Sequence, residues 1–221
     1  MALLEVIACS IADAVAAERG GAGRLEIVRA LDAGGLTPPI SLVKEIVAAV
    51  SIPVRVMLRE NPGFETNLEE MAVLSAAARE LDALSVDGVV LGFLRNRSLD
   101  LASARQILSS ASNSKATFHR AFEDLENPMA ALPMLKNVPQ FDRILVSPAR
   151  FGRLEELVEN AAPELTILAG GGITAPSIRK LRESARIREF HVGRAARCDN
   201  DINQPVDAQR VRELVDLVSG R

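Results

Sequence analysis

Short apolar runs recur along the chain at near-regular intervals, and the stretches between them carry apolar residues at the three- and four-residue spacing of an amphipathic helix. Eight runs predict strands: LLEVIA (3–8), RLEIV (24–28), PVRVML (53–58), VDGVVLG (86–92), KATFH (115–119), DRILV (142–146), ELTILA (164–169) and REFHV (188–192). Each is followed by a helical pattern. In the second helix Leu42, Val43, Ile46, Val47 and Val50 form one stripe, and in the third Leu68, Met71, Ala72 and Ser75 do, so both face a sheet. Ser10, Asn67, Asp100 and Asn127 stand where side-chain oxygens cap helix starts, and Pro128 and Pro176 suit first helical turns. Pro133 disturbs the fifth helix, AALPMLKN. There it removes a backbone donor at a cost of about 3 kcal/mol, so that helix is expected to kink or to start late.

Alternating strands and helices imply a parallel sheet covered by helices. Eight units in 221 residues, with no long insertion or linker, favour a closed (β/α)8 TIM barrel over an open doubly wound sheet, as a single domain spanning 1–221. A hydrophobic content of 48% supports a substantial core. The net charge of −3 and the absence of Trp and Tyr leave neither a basic footprint nor stacking platforms, so no nucleic-acid partner is expected. No stretch approaches ~18 uncharged apolar residues, and MALLEVIACS has neither a basic region nor a cleavage site. Neither a membrane span nor a secretory leader is therefore expected, and the chain reads as cytoplasmic. Cys9 and Cys198 lie far apart and outside any CxxC, which suggests neither a disulfide framework nor a zinc knuckle.

A barrel places its chemistry at the carboxyl ends of its strands, so the polar residues there are the candidate site. Glu5 and Glu26 sit in apolar runs where a buried carboxylate is costly unless paired. Both are expected to be ionised and paired with arginine, Glu5 with Arg55 or Arg59, so that removing Arg59 would destabilise the fold. His119 and Arg120 end the fifth strand and His191 the eighth; these are the only two histidines in the chain. A lone histidine in an apolar run is more often a satisfied core residue, but their shared location favours acids, bases or ligands. Gly170, Gly171 and Gly172 follow the seventh strand, and Gly193 and Arg194 the eighth. In those two loops barrels hold phosphate on bare backbone amides. Arg59, Arg120 and Arg194 against Glu5 and Glu26 leave one positive charge. At ~5 Å and an effective dielectric of ~20 each unit pair is worth roughly 3 kcal/mol, so the pocket is expected to take a small anion.

These segments resemble the CutC family, the copper homeostasis proteins. The resemblance runs through EVIACSIADAVAAERGGAGRLEIVRALDAGGLTPP, IPVRVMLRENPG, DGVVLGFL, ATFHRAFED, RILVS, LAGGGIT and EFHVGRAAR, in that order. It implies a barrel, a homo-oligomer, and copper as ligand or cofactor. It also implies site positions at Glu5, Glu26, Arg59, His119, Arg120, Gly170, Gly171, Gly172, His191 and Arg194. The cysteines that would bind copper(I) in some members follow the glutamates of the first two strands, and here those places hold Ile7 and Val28. Soft thiolates select copper(I), and no pair of them stands here. Cys9 is at best a lone substitute, and Cys198 reads as an incidental surface thiol. The loop Arg59-Glu60-Asn61-Pro62-Gly63-Phe64 is shorter than the family's usual segment and lacks its second arginine and glycine pair. Two readings stay open. In one the chain carries copper through His119, His191 and Cys9. In the other it is an enzyme, of lyase or isomerase type, acting on a small phosphorylated or carboxylated metabolite. Gly170 to Gly172 and Arg194 would then hold the anion, His119 or Glu26 would act as base, and Arg59 or Arg120 would stabilise an oxyanion.

Overall fold

The computed structural model describes residues 2–220; Met1 and Arg221, the ends of the expected domain, lie outside the described residues. Eight parallel strands close into a barrel: Leu3–Ala8, Arg24–Ile27, Val54–Met57, Gly88–Leu91, Lys115–Phe118, Phe141–Val146, Thr166–Ala169 and Glu189–Val192. Each lies within or one residue outside its predicted run. Neighbours in sequence are neighbours in the sheet, and the eighth strand pairs with the first through Glu5 opposite His191. The outward faces, such as Val6, Ile27, Val56, Leu91, Phe118, Ile144, Ile167 and Phe190, join the helices in one continuous core.

Local chemistry sets the helix ends. Ser10, Asn67, Asp100 and Asn127 all accept backbone N–H groups as N-caps, and Asn67 forms a reciprocal capping box with Glu70. Two expectations need correction. The fifth helix starts at Pro128 and runs to Lys136 with Pro133 inside it, so of the two outcomes expected for it the late start is the one that fails; the proline withholds the donor for the Met129 carbonyl. In the third helix, Leu68–Ala83, the buried stripe is Met71, Leu74, Ala78 and Leu81, while Leu68 is 84% exposed and Ala72 also faces outward. The three- and four-residue spacing of Met71, Leu74, Ala78 and Leu81 defines the inward face, and Leu68 and Ala72 stand off its flank.

The barrel interior is polar at its amino-terminal end. Arg55 donates to Asp87 (2.8 Å), to Thr117 (2.6 Å) and through two nitrogens to Asp142 (2.7 Å each). Arg143 bridges Asp142 and Glu189, and Arg24 bridges Glu189 (3.2 Å) and Glu5. Basic and acidic side chains thus alternate from Asp87 through the barrel to Glu5. Above this chain, Ile7, Val28, Met57 and Val90 form a small separate apolar cluster.

Arg24 is 2% exposed and Glu5 1%, so neither charge reaches water if the other is lost. Arg24→Met is therefore expected to destabilise the protein by about 3–5 kcal/mol in urea unfolding, because it strands a buried carboxylate. A variant within about 1 kcal/mol of the parent, the range of an exposed pair, would contradict this placement.

Candidate functional site

A pocket of about 430 Å³ opens at the carboxyl ends of the strands. Of the expected site residues, Glu26, Arg59, His119, Arg120, Gly171, Gly172, His191, Gly193 and Arg194 line it. Glu5 lies beneath the lining. Gly170 is also outside it: its amide donates to the Val146 carbonyl, and a Cβ there would meet Leu145 at 2.6 Å and His191 at 3.0 Å. It serves close packing and offers no bare amide.

At the pocket floor His191 stands between two glutamates. Its Nδ1 is 2.8 Å from Glu5 Oε1 and its Nε2 is 3.5 Å from Glu26 Oε2. Strand register explains the first contact, since Glu5 lies directly opposite His191 on one side and Arg24 on the other. Glu5 is fully buried, which favours its neutral form, but the Arg24 charge and the His191 hydrogen bond outweigh this and hold it well below the usual carboxylate range. An ionised Glu5 accepts a hydrogen bond from His191 Nδ1–H. Burial pushes the Glu26 carboxyl up to about 7, helped by repulsion from Glu5 and opposed by His191. His191 is raised: burial works against its charged form, but attraction to Glu26 and the bond to Glu5 prevail. His191 Nε2 and Glu26 Oε2 face each other across 3.5 Å, so the charge of each favours the charged form of the other. The sequence expectation fails in two respects here. The partner of Glu5 is Arg24, not Arg55 or Arg59, and Glu26 has no arginine partner among the described residues.

His119 has the opposite environment. Its Nδ1 accepts the Ala121 N–H at 3.2 Å, and burial, with the Arg59 charge beside it, drives its pKa down to about 3. The ring is neutral with its hydrogen on Nε2, which suits a donor and not the base expected from sequence. Arg59 donates to the carbonyls of Gly63 (3.1 Å), Gly34 (3.3 Å) and Pro62 and lies 4.8 Å above the Phe64 ring. Among the described residues it has no carboxylate partner, so Arg59→Met breaks no ion pair. Its charge stays uncompensated in the pocket wall.

The mouth is basic. Gly171 and Gly172 adopt φ of +73° and +90°, a region that favours glycine, and no described residue accepts their amides. Arg194 makes no ion pair among the described residues. The Arg120 guanidinium lies 3.4 Å from where a Gly171 Cβ would stand. Sequence reasoning missed its support: the buried Glu123 accepts from Ser147 N (2.6 Å) and pairs with both Arg120 (3.1 Å) and Arg150 (3.2 Å). Arg150 also lines the pocket, and the signal for it was its place in the loop after the sixth strand.

A copper(I) site does not fit these residues. The described residues contain no group of three or more His, Cys, Asp or Glu side chains placed to hold a metal, so His119, His191 and Cys9 are not a ligand set. Ile7 and Val28 pack in the apolar cluster with Cys9 against it, and burial raises the Cys9 thiol to about 11. Cys198, expected at the surface, is half-buried with its sulfur 3.6 Å from Asp207. No helix among the described residues is long and apolar enough to cross a membrane.

Comparison with known proteins agrees with the barrel and with the motifs. Residues 2–196 match the model of the CutC family. A mouse protein named copper homeostasis protein cutC homolog is 34% identical over 197 residues, covering 86% of this chain and 72% of that protein. A family protein CutC of Xanthomonas axonopodis pv. citri is 36% identical over 196 residues, covering 85% and 81%. A crystal structure of the CutC protein of Streptococcus agalactiae superimposes with a TM-score of 0.80 at 25% identity, covering 86% of this chain and 98% of that one. Phosphoribosylanthranilate isomerase of Thermotoga maritima, at 12% identity and a TM-score of 0.68 over the whole of both chains, shares the fold alone. Both the matched length and the identity to these relatives lead to one statement: the chain belongs to the CutC family.

Proposed function

We propose that this chain serves the copper homeostasis for which its relatives are named as a small-molecule site rather than as a thiolate carrier. The pocket binds a small phosphorylated or carboxylated metabolite, and Glu26 with His191 moves a proton on it. The observation that carries this reading is the line Arg24, Glu5, His191, Glu26, which ends in a pocket whose mouth offers the Gly171 and Gly172 amides and Arg194, without a partner among the described residues. A carboxyl near 7 is matched to proton transfer at neutral pH. In this role Gly171, Gly172, Gly193 and Arg194 hold the anion, Glu26 is the base, and Arg59 and Arg120 stabilise developing negative charge. Reaction types that fit are those of a lyase or isomerase. A cytoplasmic location and a homo-oligomeric assembly belong to the same proposal, and rest on the family resemblance and on two cysteines without a disulfide pattern.

The alternative reading, direct binding of copper, is favoured by family membership alone. In a titration of the reduced protein with copper(I) against a competing chelator, parent and Cys9→Ser are expected to take up copper equally weakly. Tight uptake by the parent that is lost in Cys9→Ser would restore the carrier.

The anion site has its own test. A ligand that binds only the folded state adds about 2.7 kcal/mol of stability at 100 times its dissociation constant. Melting temperature is therefore expected to rise with phosphate at fixed ionic strength, to saturate, and to rise much less in Arg194→Ala. Because anions such as phosphate also stabilise proteins by exclusion from their surface, equal and non-saturating shifts in both proteins would overturn the site.

A further inference from the structure

Two buried polar atoms of the pocket wall have no partner among the described residues: Glu26 Oε1 and His119 Nε2. Buried polar groups are paired in all but a few cases, because an unmade hydrogen bond forfeits hydration without compensation. The other such atoms, on Ser75, Arg182 and Arg197, are scattered through the molecule and line no part of this pocket. The two in the pocket are complementary. His119 Nδ1 already accepts the Ala121 N–H, so its hydrogen sits on Nε2 and that atom is a donor. His191 Nε2 faces Glu26 Oε2, so the carboxylate turns that oxygen to the imidazole and leaves Oε1 as an acceptor without a partner among the described residues. Glu26 is on the second strand and His119 ends the fifth, so the donor and the acceptor approach the pocket from different walls.

Arg59 adds a third constraint. Three of its five N–H groups go to the carbonyls of Gly63, Gly34 and Pro62, which fix the guanidinium in the wall, so it supplies the ligand chiefly with positive potential. A neutral donor backed by an uncompensated cation suits an oxygen that gains negative charge in the course of reaction. A carboxylate opposite it suits a carbon acid.

Resting on the reading of the pocket as an anion site, we propose that it recognises an anionic α-hydroxy carbonyl compound and catalyses its enolisation. The carbonyl oxygen lies on His119 Nε2, the carbon bearing the hydroxyl faces Glu26 Oε1, and the anionic group sits at Gly171, Gly172 and Arg194. Glu26 removes the proton from that carbon. The C–H electron pair becomes the C=C bond of an enediolate, and the carbonyl π pair moves to oxygen, where His119 and Arg59 meet it. Return of the proton from Glu26 to the neighbouring carbon, with a proton shift between the two oxygens, moves the carbonyl by one position. No oxidant, reductant or second substrate is consumed.

The test compares two probes by calorimetry on protein treated with EDTA, since hydroxamates also chelate metals. Ethyl phosphate carries the anion without the donor and acceptor pair, whereas phosphoglycolohydroxamate carries the same anion with a planar mimic of the enediolate. The hydroxamate is expected to bind the parent at least about 10-fold tighter than ethyl phosphate, the factor one charge-assisted hydrogen bond supplies. His119→Gln, which keeps an N–H donor, is expected to retain part of that preference, and His119→Phe to lose it. Equal binding of the two probes by the parent overturns the inference and leaves the anion site standing. Binding of neither overturns both. The comparison on the parent needs no variant, so a His119→Phe chain that fails to fold leaves the test decisive.

Discussion

Glu5 can stay ionised inside the barrel because Arg24 lies against it, and the state of every group above it depends on that charge. A carboxylate with 1% exposure has lost its water, and only an opposite charge held in register offsets the loss. The register is structural: pairing of the first two strands puts Glu5 beside Arg24, and closure of the barrel puts it beside His191. The chain of charges below, from Glu189 through Arg143 and Asp142 to Arg55 and Asp87, keeps Arg24 from turning elsewhere. Charge alternation in the lower barrel is thus what allows a proton to be exchangeable at its upper end.

The two histidines show how environment divides roles between identical side chains. His191 is gripped by carboxylates on both nitrogens and gains proton affinity; His119 is backed by Arg59 and accepts a backbone N–H, and loses it. They meet in one pocket, so it presents a proton-exchanging face and a fixed donor face to the same ligand.

The barrel was legible because eight apolar runs and four N-caps are local signals. The third helix was misread because its stripe was drawn from the residue that begins it, Leu68, whereas the inward face runs through Met71, Leu74, Ala78 and Leu81. Most of the pocket was legible from one rule, that polar residues at strand ends face the site. The pairing was not. Arg24 opens its strand and looks like an exposed edge residue, and only the register places it beside Glu5. Nor does sequence reveal that Gly170 spends its amide on Val146, or that Glu123 gathers Arg120 and Arg150, since those contacts join separate loops.

Membership in the CutC family and the absence of a fitting copper set among the described residues direct attention to the protons of the pocket. With two histidines in the chain, nitrogen-15 NMR of the imidazoles from about pH 5 to about pH 9 reads them directly. One ring is expected to stay neutral throughout with its hydrogen on Nε2, and the other to keep its Nδ1 hydrogen while its Nε2 gains or loses a proton under the influence of the facing Glu26 carboxyl. Two rings that both titrate as free imidazoles, near 6.5, would contradict the account.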